Sequence, residues 1–480
     1  MGLGKRSMLM AGAQFFEMGL QILLPVVLVR TLIPEEFGAY RLAWLIVGSL
    51  ASALPFAIPD TLSVLLPRHG AYARQLIVRN MLLLMGLLGC LAGLGVGLVL
   101  SLFDTQSSLN QMPWLIGVFT AVWIFAVTLD SLPLANEEPL WQAKAIIVLA
   151  LIRTAVAVAA AWWFRSLWAV MLAILVTASL RAWAVIWYAR RFAKNSALAA
   201  PQSAQESGKA LMIEHWRVAA PLGSSSLLYT IRRQADSWVA ATVFSAVQFA
   251  SFSLGSVLAP IVLVVRRAVS TTLLPSMSRN QSKGDLHLVL QANHRANEVV
   301  AGVVCPALAL IWWFAPYLFT LVYTETYVDA ALVLRVMTFV WLAQVIELNS
   351  LLLLTGTMGY AARIGIPLTA FSFAVCWYGA TRFGLLGASV GALLTAVLER
   401  ALLLRGLSKA LKLPLIELQP WPRLLLLLGM CFGLAGLAYG LSLYVPGPRW
   451  LVFGGTAMGY ALCYYSLVRV SGLVRWRMVS

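Results

Sequence analysis

The stretch SSSLLYTIRRQADSWVAATVF, from Ser224 to Phe244, decides how this sequence is read. Its length and apolar flanks are those of a membrane span, yet Arg232, Arg233 and Asp236 stand near its middle. The rest of the 480-residue chain explains why the span reading holds: 61% of residues are hydrophobic, 11% are charged, and the mean hydropathy is +0.85. A soluble globular protein does not carry that composition. Lipid offers no partner to backbone N–H and C=O groups, so apolar runs of about 20 residues are spanning helices. The short alternating segments of an outer-membrane barrel are absent from the pattern.

The fold class expected is an all-α polytopic membrane protein of about fourteen spans, at roughly 8–29, 42–66, 79–102, 114–134, 144–163, 167–188, 217–242, 247–273, 298–322, 330–354, 364–381, 384–404, 423–443 and 450–468. The formal charge is +17, which in a soluble chain would point to nucleic acid. With the N-terminus inside, 25 of the 35 Lys and Arg residues fall on inner loops, tails and helix ends, and only Arg30, Arg41, Arg165, Arg382 and Arg449 on outer loops. The charge is therefore a topology signal, with both termini cytoplasmic, and secondarily an attraction to anionic lipid headgroups. Nucleic acid is not an expected partner. Lys5 and Arg6 precede a long apolar stretch without a small-residue cleavage site, the pattern of a retained first helix.

The polar interruption RRFAKNSALAAPQSAQESGKALMIEHWR, Arg190 to Arg217, reads as a linker. It divides two pseudo-symmetric six-helix lobes, 1–189 and 217–404, with 405–480 carrying two appended helices. A faint echo between LLPRH (Leu65 to His69) and LLPSMSR (Leu273 to Arg279) fits a duplicated transporter core with a central cavity.

The remaining Lys and Arg residues, Arg153, Arg181, Arg232, Arg233 and Arg335, lie within spans. A charge at the bilayer centre costs at least about 2.5–3.5 kcal/mol, so Arg153, Arg232, Arg233 and Glu347, which are deep, should face a wet interior. Arg181 is intermediate; Arg335 and Asp130 lie near helix ends, within reach of the interface. Asp236 is four residues from Arg232 and three from Arg233, so it neutralises one of them and leaves one positive charge. Arg266 and Arg267 have two open placements: the inner third of an eighth helix running on to Pro275, where they would meet a phosphate, or the inner boundary. In the first span Gln14, Glu17 and Gln21 share one face; Glu17 lies about 13 Å from the inner end at 1.5 Å per residue. That face reads either as a coupling site or as a polar seam between helices. Arginine suits bidentate phosphate contact without losing its charge, so a net cationic interior suggests an anionic substrate.

Enzyme chemistry is not indicated. There is no Walker phosphate loop and no Cys, Ser or His constellation for covalent catalysis. The five cysteines, Cys90, Cys305, Cys376, Cys431 and Cys463, fall in apolar runs, and the four histidines, His69, His215, His287 and His294, are scattered in polar linkers. No cofactor or metal site is expected. Short outer loops argue against a lipid-sugar ligase or polymerase, for which Glu35 and Glu36 would be the acids. Following Pro34, these two read instead as acids opening the second helix.

The run LPVVLVRTLIPEEFGAYRLAWLIVGSL, Leu24 to Leu50, resembles the start of the polysaccharide transport (Wzx-type) branch of the multidrug/oligosaccharidyl-lipid/polysaccharide (MOP) exporter superfamily. Arg30, Leu32, Pro34, Glu35, Glu36, Phe37, Gly38 and Tyr40 carry the likeness, with Ile33 where the family usually has Gly. Asp236 stands where the seventh helix of the family often has Asp, and LLPSMSR looks like the end of its eighth; FASFSLG departs from the family pattern. The resemblance implies a flippase of the bacterial inner membrane. It would move undecaprenyl-pyrophosphate-linked oligosaccharide to the periplasmic leaflet by alternating access, for exopolysaccharide, capsule or O-antigen assembly. Arg153, Arg232 and Arg233, with Arg181, Arg266 and Arg267, would then face the pyrophosphate. Glu17 and Glu347 would bind a coupling proton or sodium ion, with Gln14, Gln21 and Asp236 as further coupling or cavity polar groups. A polysaccharide polymerase and other glycan assembly proteins are implied partners, beside membrane lipid. A multidrug or other lipid-precursor exporter of the same superfamily, a ligase or polymerase, and a scaffolding role are the alternatives.

Overall fold

The computed structural model describes residues 3–102, 108–198, 208–257, 259–283 and 285–474, and among them every regular element is a helix. Leaving single turns aside, the helices are α1 (Leu3–Thr31), α2 (Pro34–Ala53), α3 (Ala71–Leu102), α4 (Pro113–Ala126), α5 (Pro139–Phe164), α6 (Leu167–Leu198), α7 (Gly208–Arg233), α8 (Ala235–Val243), α9 (Ala246–Gly255), α10 (Ala259–Ser282), α11 (Leu286–Val322), α12 (Ala330–Val345), α13 (Asn349–Leu354), α14 (Met358–Leu411), α15 (Trp421–Ser442) and α16 (Arg449–Ser471). Among the described residues, ten helical segments are long and apolar enough to cross a membrane.

One of these ten, α14, is a pair. Gly384 breaks it at φ 60° and ψ −142°, a conformation open to little besides glycine. The two arms then touch backbone to backbone: a Cβ on Gly379 would stand 2.3 Å from the Gly387 carbonyl oxygen. The predicted spans 42–66, 217–242 and 247–273 are each interrupted, and none is among the ten. The first stops at Ala53, since Pro55 and Pro59 supply no amide donor and Phe56 and Ala57 take positive φ. The second divides between α7 and α8, the third between α9 and α10. The described helices are thus consistent with fourteen passes. Helices α6 and α7 extend into the predicted linker from both sides; its middle, 199–207, and the start of the loop at 103–113 lie outside the described residues.

The chain forms two compact units, Met1–Ala250 and Ser251–Ser480. In the first, α3 and α4 pack through small residues spaced four apart. A Cβ on Gly89 or Gly93 would meet a carbonyl oxygen of α4 at 2.6 and 2.4 Å, so only glycine permits this approach. Helix α1 packs on α5, α5 on α6, and α6 on α4, which converges their inner faces.

In the second unit α11 holds Pro306 and Pro316. Each proline deprives the carbonyl four residues earlier of its helical donor. Those two carbonyls are met by side chains: Tyr464 Oη donates to Gly302 O at 2.6 Å, and Arg335 Nε to Trp312 O at 3.1 Å. The guanidinium of Arg335 also stacks on Trp312, 5.3 Å from its centroid. Arg335, expected to reach the interface, instead serves the helix backbone. Through Tyr464 and the bond from Trp313 Nε1 to Phe432 O (3.0 Å), the appended helices α15 and α16 are fastened to α11.

Candidate functional site

Four of the intramembrane charges meet inside the N-terminal unit. Arg153 of α5 is 8% exposed and lies 3.8 Å from Glu17 of α1. Arg181 of α6 lies 2.5 Å from Asp130, in the turn after α4. Both guanidiniums stack on the ring of Trp123 in α4, at 5.8 and 5.3 Å from its centroid, so one indole bridges the two ion pairs. Beside them is a cavity of about 20 Å³ lined by Glu17, Trp123, Arg153, Thr177 and Arg181. One water fits there; a pyrophosphate does not. Glu17 also accepts from Gln21 Nε2 at 3.4 Å. Gln14 and Gln21 are exposed, while Glu17 is half-buried.

The stretch from Ser224 to Phe244 contains the break between α7 and α8 at Gln234 (φ −106°, ψ 4°). The break changes the spacing on which the Arg–Asp pairing was predicted. Asp236 turns its Oδ1 to the amide and hydroxyl of its neighbour Ser237, at 2.7 and 3.3 Å, and Arg233 attracts it through space without a direct ion pair among the described residues. Arg232 lies over the ring of Tyr229, 5.8 Å from its centroid. Arg233 is exposed and, among the described residues, has no ion-pair or hydrogen-bond partner. The break is held against α2: Ser49 Oγ donates to Gln234 Oε1 and accepts from Trp238 Nε1 at 3.0 Å.

In the C-terminal unit, α10 runs on past Pro275 to Ser282, so Arg266 and Arg267 both lie within the helix. Arg266 Nε meets Glu347 Oε2 at 3.1 Å, and its Nη1 donates to Gln344 O at 3.0 Å. The other oxygen of Glu347 accepts from the amides of Asn349 and Ser350, at 2.9 and 3.3 Å, capping α13 where its first N–H groups lack helical partners. Asn297 Oδ1 accepts from Glu347 N at 2.7 Å. The Arg266–Glu347 pair therefore bolts a broken helix together. The side chain of Arg267 lies outside the described residues.

The sequence profile of the polysaccharide biosynthesis proteins matches residues 3–281, more than half of the chain. The chain belongs to the polysaccharide biosynthesis protein family. No curated protein matches it. Among solved structures it is similar to the lipid II flippase MurJ in an inward closed conformation, with a TM-score of 0.69, 12% identity, and coverage of 98% of this chain and 100% of that one. It is also similar to the MATE transporter VcmN of Vibrio cholerae (TM-score 0.59, 15% identity, 85% and 96% covered). A third is a MOP superfamily transporter of Pyrococcus furiosus, whose binding pocket is described as reversed in polarity (0.56, 14%, 85% and 95%). At these identities the likeness shows the fold: this member of the family is a multi-pass, all-helical membrane protein built as MOP transporters are. The proteins sharing that fold here are a flippase and transporters, not enzymes.

Sequence reading did not find Trp123, Ser49 or Asn297. Trp123 carried a usable signal: tryptophan belongs at membrane interfaces, so one in mid-span in a chain with arginines inside its spans marks a candidate cation–π site.

Proposed function

We propose that this protein translocates a lipid-linked oligosaccharide whose lipid and sugar are joined by pyrophosphate, from the cytoplasmic to the periplasmic leaflet of a bacterial inner membrane, by alternating access. What carries the reading is Arg233: an exposed guanidinium in the middle of a span, at a helix break, with no direct ion pair among the described residues and only the through-space attraction of Asp236 to offset it, in a chain of this family. A phosphate-bearing headgroup entering low dielectric needs such a charge, and an exporter of cationic drugs would be hindered by it. Arg232 is its partner in holding the phosphates. Glu17 and Arg153 form the coupling pair, where binding of a proton or sodium ion at Glu17 would loosen the ion pair.

Arg233→Gln and Arg232→Gln, made singly in cells dependent on this protein, should lower polymer export about 10- to 100-fold, as loss of a charged hydrogen bond does. Lipid-linked oligosaccharide should accumulate on the cytoplasmic side while protein level holds. Full export from both variants would refute the assignment.

A further inference from the structure

The N-terminal unit holds a second, larger cavity that shares no lining residue with the arginine cluster. It measures about 490 Å³ and runs between α3 and α6, lined by Tyr72, Arg79, Leu83, Phe125, Ile186 and Arg190 among others. That volume is in the range of small-ligand sites. Arg79 lies eight residues after the start of α3 at Ala71, and Arg190 eight before the end of α6 at Leu198. At 1.5 Å per residue both guanidiniums start about 12 Å from one end of the bundle. Gln75 Nε2 donates to Ala193 O at 2.6 Å and holds those ends together.

Both arginines are exposed, and among the described residues neither has an ion-pair or hydrogen-bond partner. Arg191, next in sequence, shows the contrast: it lies 3.6 Å from Glu138 and over the ring of Trp187 at 5.9 Å. Deeper in the groove the wall is aliphatic and open, with Leu83 66% and Ile186 40% exposed. Tyr72 is exposed at the mouth and Trp187 stacks on Trp141 nearby, the aromatic ring belt found at headgroup depth. Two uncompensated cations at headgroup depth over an apolar trough complement an amphiphile with an anionic head. The lining offers little to read a glycan, because Gln75 is already engaged and no carboxylate is present.

We propose that this groove binds one anionic glycerophospholipid of the cytoplasmic leaflet, its phosphate between Arg79 and Arg190 and an acyl chain along Leu83 and Ile186. The site is separate from translocation, and only the name of the leaflet rests on the orientation read from the Lys and Arg distribution. The full-length protein, equilibrated with equal amounts of phosphatidylglycerol and phosphatidylcholine of matched chains, is examined by native mass spectrometry. Wild type should retain one phosphatidylglycerol in preference. Arg79→Gln with Arg190→Gln should cut that preference about 25-fold, two cations each contributing about fivefold. Arg79→Lys with Arg190→Lys should keep most of it, and Leu83→Trp should expel both lipids. If the glutamine pair does not fold, the lysine pair and Leu83→Trp decide. An unchanged preference in the glutamine pair would overturn the proposal. So would undecaprenyl pyrophosphate, offered in the same mixture, displacing phosphatidylglycerol from wild type but not from the glutamine pair, or inorganic phosphate occupying the arginines while lipid retention stays constant. Because bound lipid is measured without transport, the result stands whether or not the Arg233 variant exports.

Discussion

Arg153 in the N-terminal unit and Arg266 in the C-terminal unit are both buried beside a glutamate distant in sequence, and the two pairs are built differently. Arg266 and Glu347 are 3.1 Å apart, and the second oxygen of Glu347 is used by two backbone amides. Arg153 and Glu17 are 3.8 Å apart; Glu17 keeps a fifth of its side chain accessible and, among the described residues, has only Gln21 as a further partner. Depth and the presence of a carboxylate do not distinguish a fastening from a site that changes state. The distinction lies in how many of the carboxylate's acceptor positions the backbone has already taken.

The largest test of that contrast is on stability. Glu347→Gln should destabilise the protein by about 3–5 kcal/mol, the cost of leaving one partner of a buried pair uncompensated, read as a lowered melting temperature in detergent. Replacing both Arg266 and Glu347 by Leu should recover most of the loss, since a buried pair exchanged for packed apolar groups is often near neutral. Glu17→Gln should cost at most about 1 kcal/mol. Equal losses from Glu347→Gln and Glu17→Gln would break the comparison.

Glu17→Gln should show itself in transport instead. Coupling free energies fall at about 1–3 kcal/mol, or 5- to 150-fold, so the pH or sodium dependence of translocation in proteoliposomes should flatten by a factor in that range. Unchanged dependence would make the α1 face a polar seam. Smaller again is Trp123→Leu, which removes two cation–π contacts at once and should cost about 1–2 kcal/mol while leaving melting of the C-terminal unit's Arg266–Glu347 double variant additive with it. Among the described residues the two sites share no partner, and substitutions at independent sites add.

The architecture was legible because lipid removes alternatives: apolar runs of spanning length have nowhere to be but in helices, and the α14 hairpin followed from two such runs meeting at Gly384. The motif between Arg30 and Tyr40 carried the family. The site was less legible, since a linear spacing argument assumes an unbroken helix. Arg232, Arg233 and Asp236 share a face only on that assumption, and Gln234 breaks it. Tertiary partners were invisible for the same reason: nothing near Arg335 in sequence announces that its guanidinium answers a carbonyl freed by Pro316, on another helix. Asp130 looked like an interface residue because its pairing with Arg181 spans two helices.

The smallest effect asks whether the one-to-one matching of the C-terminal unit extends to the backbone. Tyr464 is buried, and its hydroxyl donates to Gly302 O, the carbonyl orphaned by Pro306. Tyr464→Phe should cost about 1 kcal/mol, a typical net hydrogen bond, with somewhat more because a buried acceptor is left unmet. Pro306→Ala restores an amide at 306 that can reach Gly302 O along the helix, so in that background the same Tyr464→Phe substitution should cost close to nothing. The cycle isolates the interaction: packing lost with the hydroxyl would appear in both backgrounds and cancel, whereas a service to the orphaned carbonyl appears in one. A penalty of equal size with and without Pro306 would mean that Tyr464 merely fills space, and that the fastening of α16 to α11 owes nothing to the proline.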